Sequence, residues 1–341
     1  MDRVATKIAK KIGVLFQNDY GHTSSREQVA GHDARWSTAC DHTARLQFLN
    51  HAISSNTIQI RMKANMSGDA QQRAAFAYNA AADFYDASAL SFWDYFGRRT
   101  IELASLRIGS RVLDVCCGAG ASALPAAEAV GQTGAVIGVD LAKELLKSAR
   151  AKAIHRRLGN IEFEVGDMLS MRFPVASFDA VVCVFGIFFV PDMARAVSEL
   201  WNYVRPGGKL AVTTWGPNLF EPANDAFWCS IKVVRPDLYK GFNPWDRIDD
   251  PASLRKILDE AGVASPKIIA ENRLHPIKSA DDWWTIVLGS GYRGTIEQLN
   301  LAERQKIKKA NLAFIRDEKI SAIETNVLYA LATKPQTANF K

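Results

Sequence analysis

Three carboxylates in this chain of 341 residues each stand at or just beyond the end of a short β-rich run. Asp114 lies near the end of RVLDV (111–115), Asp140 closes AVIGVD (135–140), and Asp167 follows IEFEVG (161–166). Between the first two runs comes the turn CCGAG, Cys116 to Gly120, which leads into an alanine-rich helical stretch. Gly118, Gly120 and Ala123 fit the G-x-G-x-x-G/A spacing, and Asp140 stands 20 residues beyond Gly120. A turn of this kind brings backbone amides close to a ligand. Its spacing alone leaves open whether that ligand is a dinucleotide or another adenosine-bearing cofactor.

Asp114 favours one of the two. A dinucleotide presents an anionic pyrophosphate to the turn, where a neighbouring carboxylate repels it. S-adenosylmethionine (SAM) brings an ammonium and a sulfonium instead, and an acid nearby is then favourable. Asp140 suits the ribose hydroxyls of either cofactor. Asp167 is placed to accept from an exocyclic adenine amine, with Met168 as an apolar cover for the ring. Any one of these acids has a plainer reading as a loop or helix cap. Three of them at successive strand ends coincide with the place where open α/β sheets bind ligands.

The elements that must hold these residues are legible from Gly109 onward. Short β-rich runs at 111–115, 135–140, 161–166, 178–186 and 209–216 alternate with helical stretches near 121–130, 142–154 and 192–204. That order predicts an α/β fold, a Rossmann-like doubly wound, mostly parallel sheet of seven strands with helical cap and insertions. A helix over 251–262, a strand near 266–272 and a last strand over 326–334 complete it. The spacing divides the chain into a poorly structured extension (1–65), an N-terminal helical cap (66–108) and the main domain (109–335) with insertions at 217–250 and 280–322. In the cap the helical pattern starts near Ser67, with Asp69 as its expected cap. The stretch MKANMSGDAQQ at 62–72 reads as the beginning of the folded part.

Composition is that of an ordinary globular protein, 48% hydrophobic and 23% charged, with net charge +6. The surplus is concentrated in residues 1–65, where nine Lys/Arg face five Asp/Glu; the remainder holds 33 against 31. The catalytic part therefore lacks the basic face of a nucleic-acid enzyme. The extension opens on a basic amphipathic stretch and carries His22, His32, His42 and His51 at irregular spacing, which does not suit a metal site. Five cysteines without a C-x-x-C pair argue against a disulfide framework or a zinc site, so no metal is expected. No apolar run reaches membrane-spanning length and no signal-peptide pattern is present. The expected setting is cytoplasmic, without stable membrane insertion, with a homodimer as the candidate assembly.

DVCCGAG, IGVD, the VGDM step, FDAVVCVFGIFFVPD and LWNYVRPGGKLAVTTWG, taken together, resemble the class I SAM-dependent methyltransferases. Within that class the resemblance is to the small-molecule enzymes of ubiquinone and menaquinone biosynthesis, and it covers roughly residues 70–270. It implies that Asp114, Cys116, Gly118 and Gly120 border the methionine part of SAM. It likewise implies Asp140 and Leu141 at the ribose, Asp167 and Met168 at the adenine, and Phe185 beside the cofactor. Arg205-Pro206-Gly207-Gly208 matches the family's tight turn before the fifth strand. Cys116 departs from the family, which has glycine there, and so implies a backbone conformation open to a side chain. Cys117 follows the family pattern, and packing explains both thiols better than chemistry does.

The implied reaction is displacement at the cofactor's methyl carbon by an O, C or N nucleophile of a small, apolar or aromatic molecule. Such a step depends on alignment and exclusion of water. His275 and Tyr292 are the candidate general bases, while His155 reads as a helix C-terminal cation. Tyr78, Tyr85, Trp93, Phe188, Phe189, Trp245 and Trp284 are the candidate aromatic cover over the acceptor, against the plainer reading that many of them only join insertions to the sheet. The competing functions are an NAD-dependent oxidoreductase, for which no Tyr-x-x-x-Lys pair is present, and a SAM-fold binding or assembly protein without turnover.

Overall fold

A computed structural model describes the backbone of residues 56–336 and the side chains from Gln71 onward. The basic amphipathic start and the four histidines of the extension lie outside the described residues. The first described helix, α1, spans Asn56–Tyr85, so it is already running where the extension was expected, and Asp69 sits inside it instead of capping it. Most of its residues are good helix formers, which carry the helix across Ser67 and Gly68. A second helix, α2 (Phe92–Ala104), ends at Ser105, whose left-handed backbone (φ 47°) returns its N–H to the carbonyls of Ile101 and Glu102.

The main sheet then follows the alternation of the sequence. β1 (Arg111–Val115), β2 (Ala135–Asp140), β3 (Ile161–Val165), β4 (Phe178–Val184) and β5 (Val204–Trp215) run parallel. They are separated by α3 (Ala123–Val130), α4 (Lys143–His155) and α5 (Met193–Tyr203). β6 (Lys267–Glu271) and β9 (Val327–Thr333) close the sheet in the order β3-β2-β1-β4-β5-β9-β6, with β9 antiparallel to both its neighbours. The seven-stranded, mostly parallel, Rossmann-like architecture is thus the one the sequence predicts.

Both faces of the central strands β1, β4 and β5 are buried, which is why these strands read as largely apolar runs, while the outer strands β3 and β6 keep exposed positions. Val112, Val136, Val182 and Ala211 pack beneath Ile101, Leu124 and Leu146 of the helices on one face. Leu113, Val181 and Leu210 pack on the other against Leu200 of α5 and Leu254 and Leu258 of α7 (Pro251–Glu260). Each such valine, leucine or isoleucine contributes on the order of 2 kcal/mol by leaving water. The Arg205–Gly208 segment does not form a separate turn. It lies within β5, where the pairing jumps from Phe178↔Val204 to Ala180↔Lys209 and Gly207 takes φ 75°. A bulge absorbs the extra residues and keeps the strand in the ladder.

The remaining helices gather beside the strand ends. They are α6 (Ala223–Val234), α8 (Ala280–Leu288), α9 (Arg293–Ile296) and α10 (Leu301–Asp317). Trp283 Nε1 of α8 donates to Asn311 Oδ1 of α10 at 3.0 Å, and Asn311 Nδ2 donates to Ser230 Oγ of α6 at 2.9 Å. This buried chain of hydrogen bonds fixes three helices in register. A small antiparallel pair, β7 (Leu274–Pro276) and β8 (Ala322–Glu324), lies alongside. Among the described residues no helix is long and apolar enough to cross a membrane.

Candidate active site

The turn after β1 has three residues with left-handed backbones: Cys116 (φ 59°), Gly118 (φ 51°) and Gly120 (φ 87°). Glycine reaches this region at little cost, whereas a side chain there costs roughly 1–2 kcal/mol. At Cys116 the backbone is therefore of the kind that favours glycine, contrary to the expectation of a side-chain-friendly conformation. The strain is held by packing: a Cβ on Gly186 would come within 2.4 Å of Cys116 Cβ, so the two chain segments touch backbone to side chain. Hydrogen bonding with Cys183, together with burial, pushes the Cys116 thiol pKa up, and burial does the same to Cys117. Neither thiol is a ready nucleophile.

Asp140 organises the turn. Its carboxylate accepts from the Gly118 amide at 2.8 Å and from the Ala142 amide at 2.7 Å, bridging the ends of β1 and β2. Burial raises its pKa, and the amide bonds oppose that rise. Asp167 Oδ1 accepts from the Leu169 amide and from Gln71 Nε2 of α1, both at 2.9 Å. Its second oxygen makes no hydrogen bond with a described residue. Asp114 is fully buried: Ser122 Oγ donates to its Oδ2 at 2.6 Å, while Oδ1 has no partner. Burial lifts its pKa to about 7.

At the carboxyl ends of β1–β4 these residues frame a narrow cavity. Cys116, Gly118, Asp140, Leu141, Asp167, Met168 and Phe185 line it, with Gln71, Tyr78, Tyr85 and Trp93 across from them. Tyr85 and Trp93 stack at 5.3 Å between ring centroids, and Phe185 stacks on Trp215 at 3.9 Å. A wider cleft of about 1740 Å³ adjoins it. Tyr78, Trp93, Phe189 and Val190 belong to both walls, so the two spaces meet there.

The sequence-predicted residues divide as follows. Asp114 and Gly120 lie outside the cavity wall, Asp114 beneath the turn and Gly120 packed on Leu124. Tyr85 lines the narrow cavity and not the cleft. Phe188, Phe189, Trp245, Tyr78 and Trp93 line the cleft. Trp284 lines neither space: it is buried in α8, with Lys308 Nζ 6.0 Å above its ring. His275 also lines neither. It is buried in β7, its Nε2 is 2.9 Å from the Ala89 carbonyl oxygen, and its ring stands edge-on to Phe92 at 5.1 Å. Tyr292 lines the cleft and donates its hydroxyl to Asn224 Oδ1 at 2.6 Å, and burial holds its pKa well above the ordinary value. A phenol so held is not a base at neutral pH.

Gln71, Ser122, Trp215 and Trp228 belong to these walls or support them, and sequence reading missed them. Trp215 ends β5, and the rule that ligands sit at the carboxyl ends of parallel strands applies to it as well. The others carry no local signal.

Residues 112–208 match the family model described as a methyltransferase domain. Over 138 residues the chain is 36% identical to aklanonic acid methyltransferase DauC of Streptomyces sp. (strain C5), which covers 40% of this chain and 63% of that protein. Over 142 residues it is 35% identical to the demethylmenaquinone methyltransferase of Oceanobacillus iheyensis, covering 41% of this chain and 59% of that protein. The YcgJ protein of Bacillus subtilis superposes with a TM-score of 0.48 at 18% identity, over 71% of this chain and 99% of that one. Sheet order and glycine turn agree with that match: residues 112–208 are similar to a methyltransferase domain, carried here on a Rossmann-like sheet, and the cofactor to set against the site is SAM. The chain spans about three fifths of the length of the two curated relatives.

The residues present suit that cofactor. The orphaned, fully buried oxygen of Asp114 beneath the turn favours a cation above it. Asp140 and Asp167 supply acceptors for hydroxyl and amine groups, and Met168 and Leu141 supply apolar cover.

Proposed function

We propose that this chain is a SAM-dependent methyltransferase for a small aromatic or apolar organic acceptor. The observation that carries the reading is the meeting of the two spaces at Tyr78, Trp93, Phe189 and Val190. One is walled by strand-end carboxylates, the other by aromatic rings. In this reading Asp140 holds the ribose, Asp167 the adenine amine, and the buried charge of Asp114 favours the cationic end. SAM, when bound, supplies an electrophilic methyl group. The chain's own part is to orient the acceptor's nucleophile toward it and to exclude water. Aromatic walls such as those made by Trp93, Phe188, Phe189 and Trp245 suit that task. The names of the relatives, which specify aklanonic acid and demethylmenaquinone, agree with a small-molecule acceptor.

Neither His275 nor Tyr292 serves as a general base in this reading, the one because it lies away from both spaces and the other because its phenol stays protonated. The acceptor nucleophile is one that loses its proton readily, such as a phenol or an acidic carbon.

Calorimetric titration with SAM, S-adenosylhomocysteine and NAD tests the reading. SAM and its product bind and NAD does not; radiolabelled SAM then yields a methylated product on a panel of phenols and quinols. Binding of NAD without SAM overturns the cofactor assignment. SAM binding without turnover on any acceptor overturns the enzymatic one.

A further inference from the structure

Tyr78, Trp93, Phe189 and Val190 belong to the walls of both spaces, and one of the four offers a polar group to a molecule lying between them. Phe189 and Val190 carry none. Trp93 has its indole Nε1 sealed from solvent and without a partner. Tyr78 is half-buried; its hydroxyl is not sealed in that way and forms no hydrogen bond with a described residue.

The position of that hydroxyl is fixed from two sides. On the side of the cleft, a Cβ on Gly291 would lie 3.6 Å from it, and Gly291 is itself part of the cleft wall. A methyl group there would already touch the oxygen, so the missing side chain leaves the hydroxyl uncovered. On the side of the cofactor cavity, the neighbours are Asp140 and Cys116. Burial raises the pKa of the phenol, and these two groups add to the rise. The phenol therefore keeps its proton at neutral pH and serves as a donor. Its ring is held edge-on to Tyr85 at 6.3 Å and to Phe189 at 5.7 Å between centroids, so little freedom remains to be lost when a ligand arrives. Tyr292 and Tyr85 differ from it. Tyr292 spends its proton on Asn224 Oδ1, and the Tyr85 hydroxyl faces the glycine turn, 3.4 Å from where a Cβ on Gly118 would stand.

We propose that the Tyr78 hydroxyl is the positioning donor for the acceptor and binds a carbonyl oxygen adjacent to its nucleophilic atom. This narrows the acceptor to molecules with a carbonyl beside the nucleophile, such as an ortho-acylphenol or a carbon flanked by carbonyls. A neutral carbonyl suits the place because it takes the O–H without bringing a second negative charge toward Asp140. Such a carbonyl also acidifies the neighbouring O–H or C–H, which fits an acceptor that gives up its proton to solvent. The proposal rests on the methyltransferase reading for calling the bound molecule an acceptor and for setting its nucleophile toward the cofactor cavity. Binding of a carbonyl at Tyr78 stands apart from that reading.

The test uses the full chain and two probes of one shape, acetylnaphthalene and ethylnaphthalene, titrated calorimetrically. Tyr78→Phe deletes an oxygen that has no partner among the described residues, so the variant keeps its fold. It weakens binding of the ketone about fivefold, the worth of one hydrogen bond between neutral groups, and leaves the hydrocarbon within about twofold. The infrared carbonyl band of the ketone lies at lower frequency on the wild type than on the variant. Affinity for S-adenosylhomocysteine is the same in both. Equal weakening of the two probes overturns the proposal, as does an unshifted carbonyl band. A loss of S-adenosylhomocysteine affinity as large as the loss of ketone affinity also overturns it, by assigning the hydroxyl to the cofactor. SAM titration of the wild type is run beside these measurements. Absence of SAM binding with the Tyr78-dependent ketone preference intact refutes the methyltransferase reading and leaves the carbonyl site standing.

Discussion

Ser122 Oγ donates to Asp114 Oδ2 at 2.6 Å, and the other oxygen of the same fully buried carboxyl has no partner. A lone hydrogen bond does not offset the loss of water around a carboxylate. The group's pKa therefore rises to about 7 instead of falling as it does in a salt bridge.

The stability consequence has a definite sign. The native pKa of Asp114 lies above its ordinary 3.8, so between about pH 4 and pH 7 the native state binds more protons than the unfolded state. Stability from this group is present at low pH and is lost as pH rises through that window, by at most about 4 kcal/mol. Asp114→Asn keeps the acceptor for Ser122 and removes the titration. Thermal melts from pH 5 to pH 8 should therefore show the variant gaining on the wild type as pH rises. A constant difference between the two curves refutes the shifted pKa. SAM affinity of the wild type should also weaken below pH 7, because protonation removes the charge that favours a cationic ligand.

Asp140 has two duties, and substitutions separate them. The carboxylate holds the Gly118 and Ala142 amides at 2.8 and 2.7 Å, so it shapes the turn as well as offering acceptors to a ligand. The sequence alone suggests a strand-end residue whose removal spares the fold. The geometry predicts instead that Asp140→Ala lowers stability by roughly 1–3 kcal/mol and weakens SAM binding by about a hundredfold or more. Asp140→Asn keeps an acceptor for only one of the two amides and turns a donor toward the other, so it should recover part of the stability and little of the affinity. Calorimetric titration and chemical denaturation on the same samples check both.

Gly97 ties α2 to the turn. A Cβ on this residue would stand 2.3 Å from the Ala121 carbonyl oxygen and 2.8 Å from the Ser122 amide nitrogen, both of them backbone atoms. Gly97→Ala must displace the segment that carries Ser122, with an expected destabilisation of roughly 1–3 kcal/mol or more and a loss of SAM affinity. Gly159, whose Cβ would meet nothing within 4 Å, supplies the control: Gly159→Ala should leave both within error. Equal effects of the two substitutions would show that α2 does not press on the turn.

How far these features were visible in the sequence depends on how local their causes are. β1 and β2 coincide with RVLDV and AVIGVD because a parallel strand buried on both faces is a continuous apolar run between polar breaks. Arg205–Gly208 reads as a turn, since Pro and Gly punctuate most chains, yet the ladder with β4 takes it in as a bulge. The cofactor-side acids are legible because one rule about strand ends applies to each. Gln71 is invisible for the opposite reason: it reaches Asp167 across 96 residues of sequence, and nothing near it announces the contact. The wide cleft draws its wall from residues between 72 and 298, with no local pattern that ties its apolar and its charged members together. His275 illustrates the converse, a residue chosen for its chemistry whose surroundings give it a structural task.

That structural task is itself testable. His275 is 5% exposed, bonded through Nε2 to the Ala89 carbonyl and packed on Phe92, and burial lowers its pKa so that it stays neutral near pH 7. His275→Ala should destabilise the fold by roughly 2–3 kcal/mol through the lost ring and the unpaired carbonyl. His275→Gln, which offers an amide donor to the same carbonyl, should recover part of that loss. In both variants kcat at temperatures well below unfolding should stay within about twofold of wild type, with an unchanged pH profile, because the imidazole borders neither the cofactor cavity nor the cleft. Melting curves and single-temperature kinetics on one acceptor decide the matter. A drop in kcat of a hundredfold in a folded His275→Gln protein would return the histidine to the reacting groups.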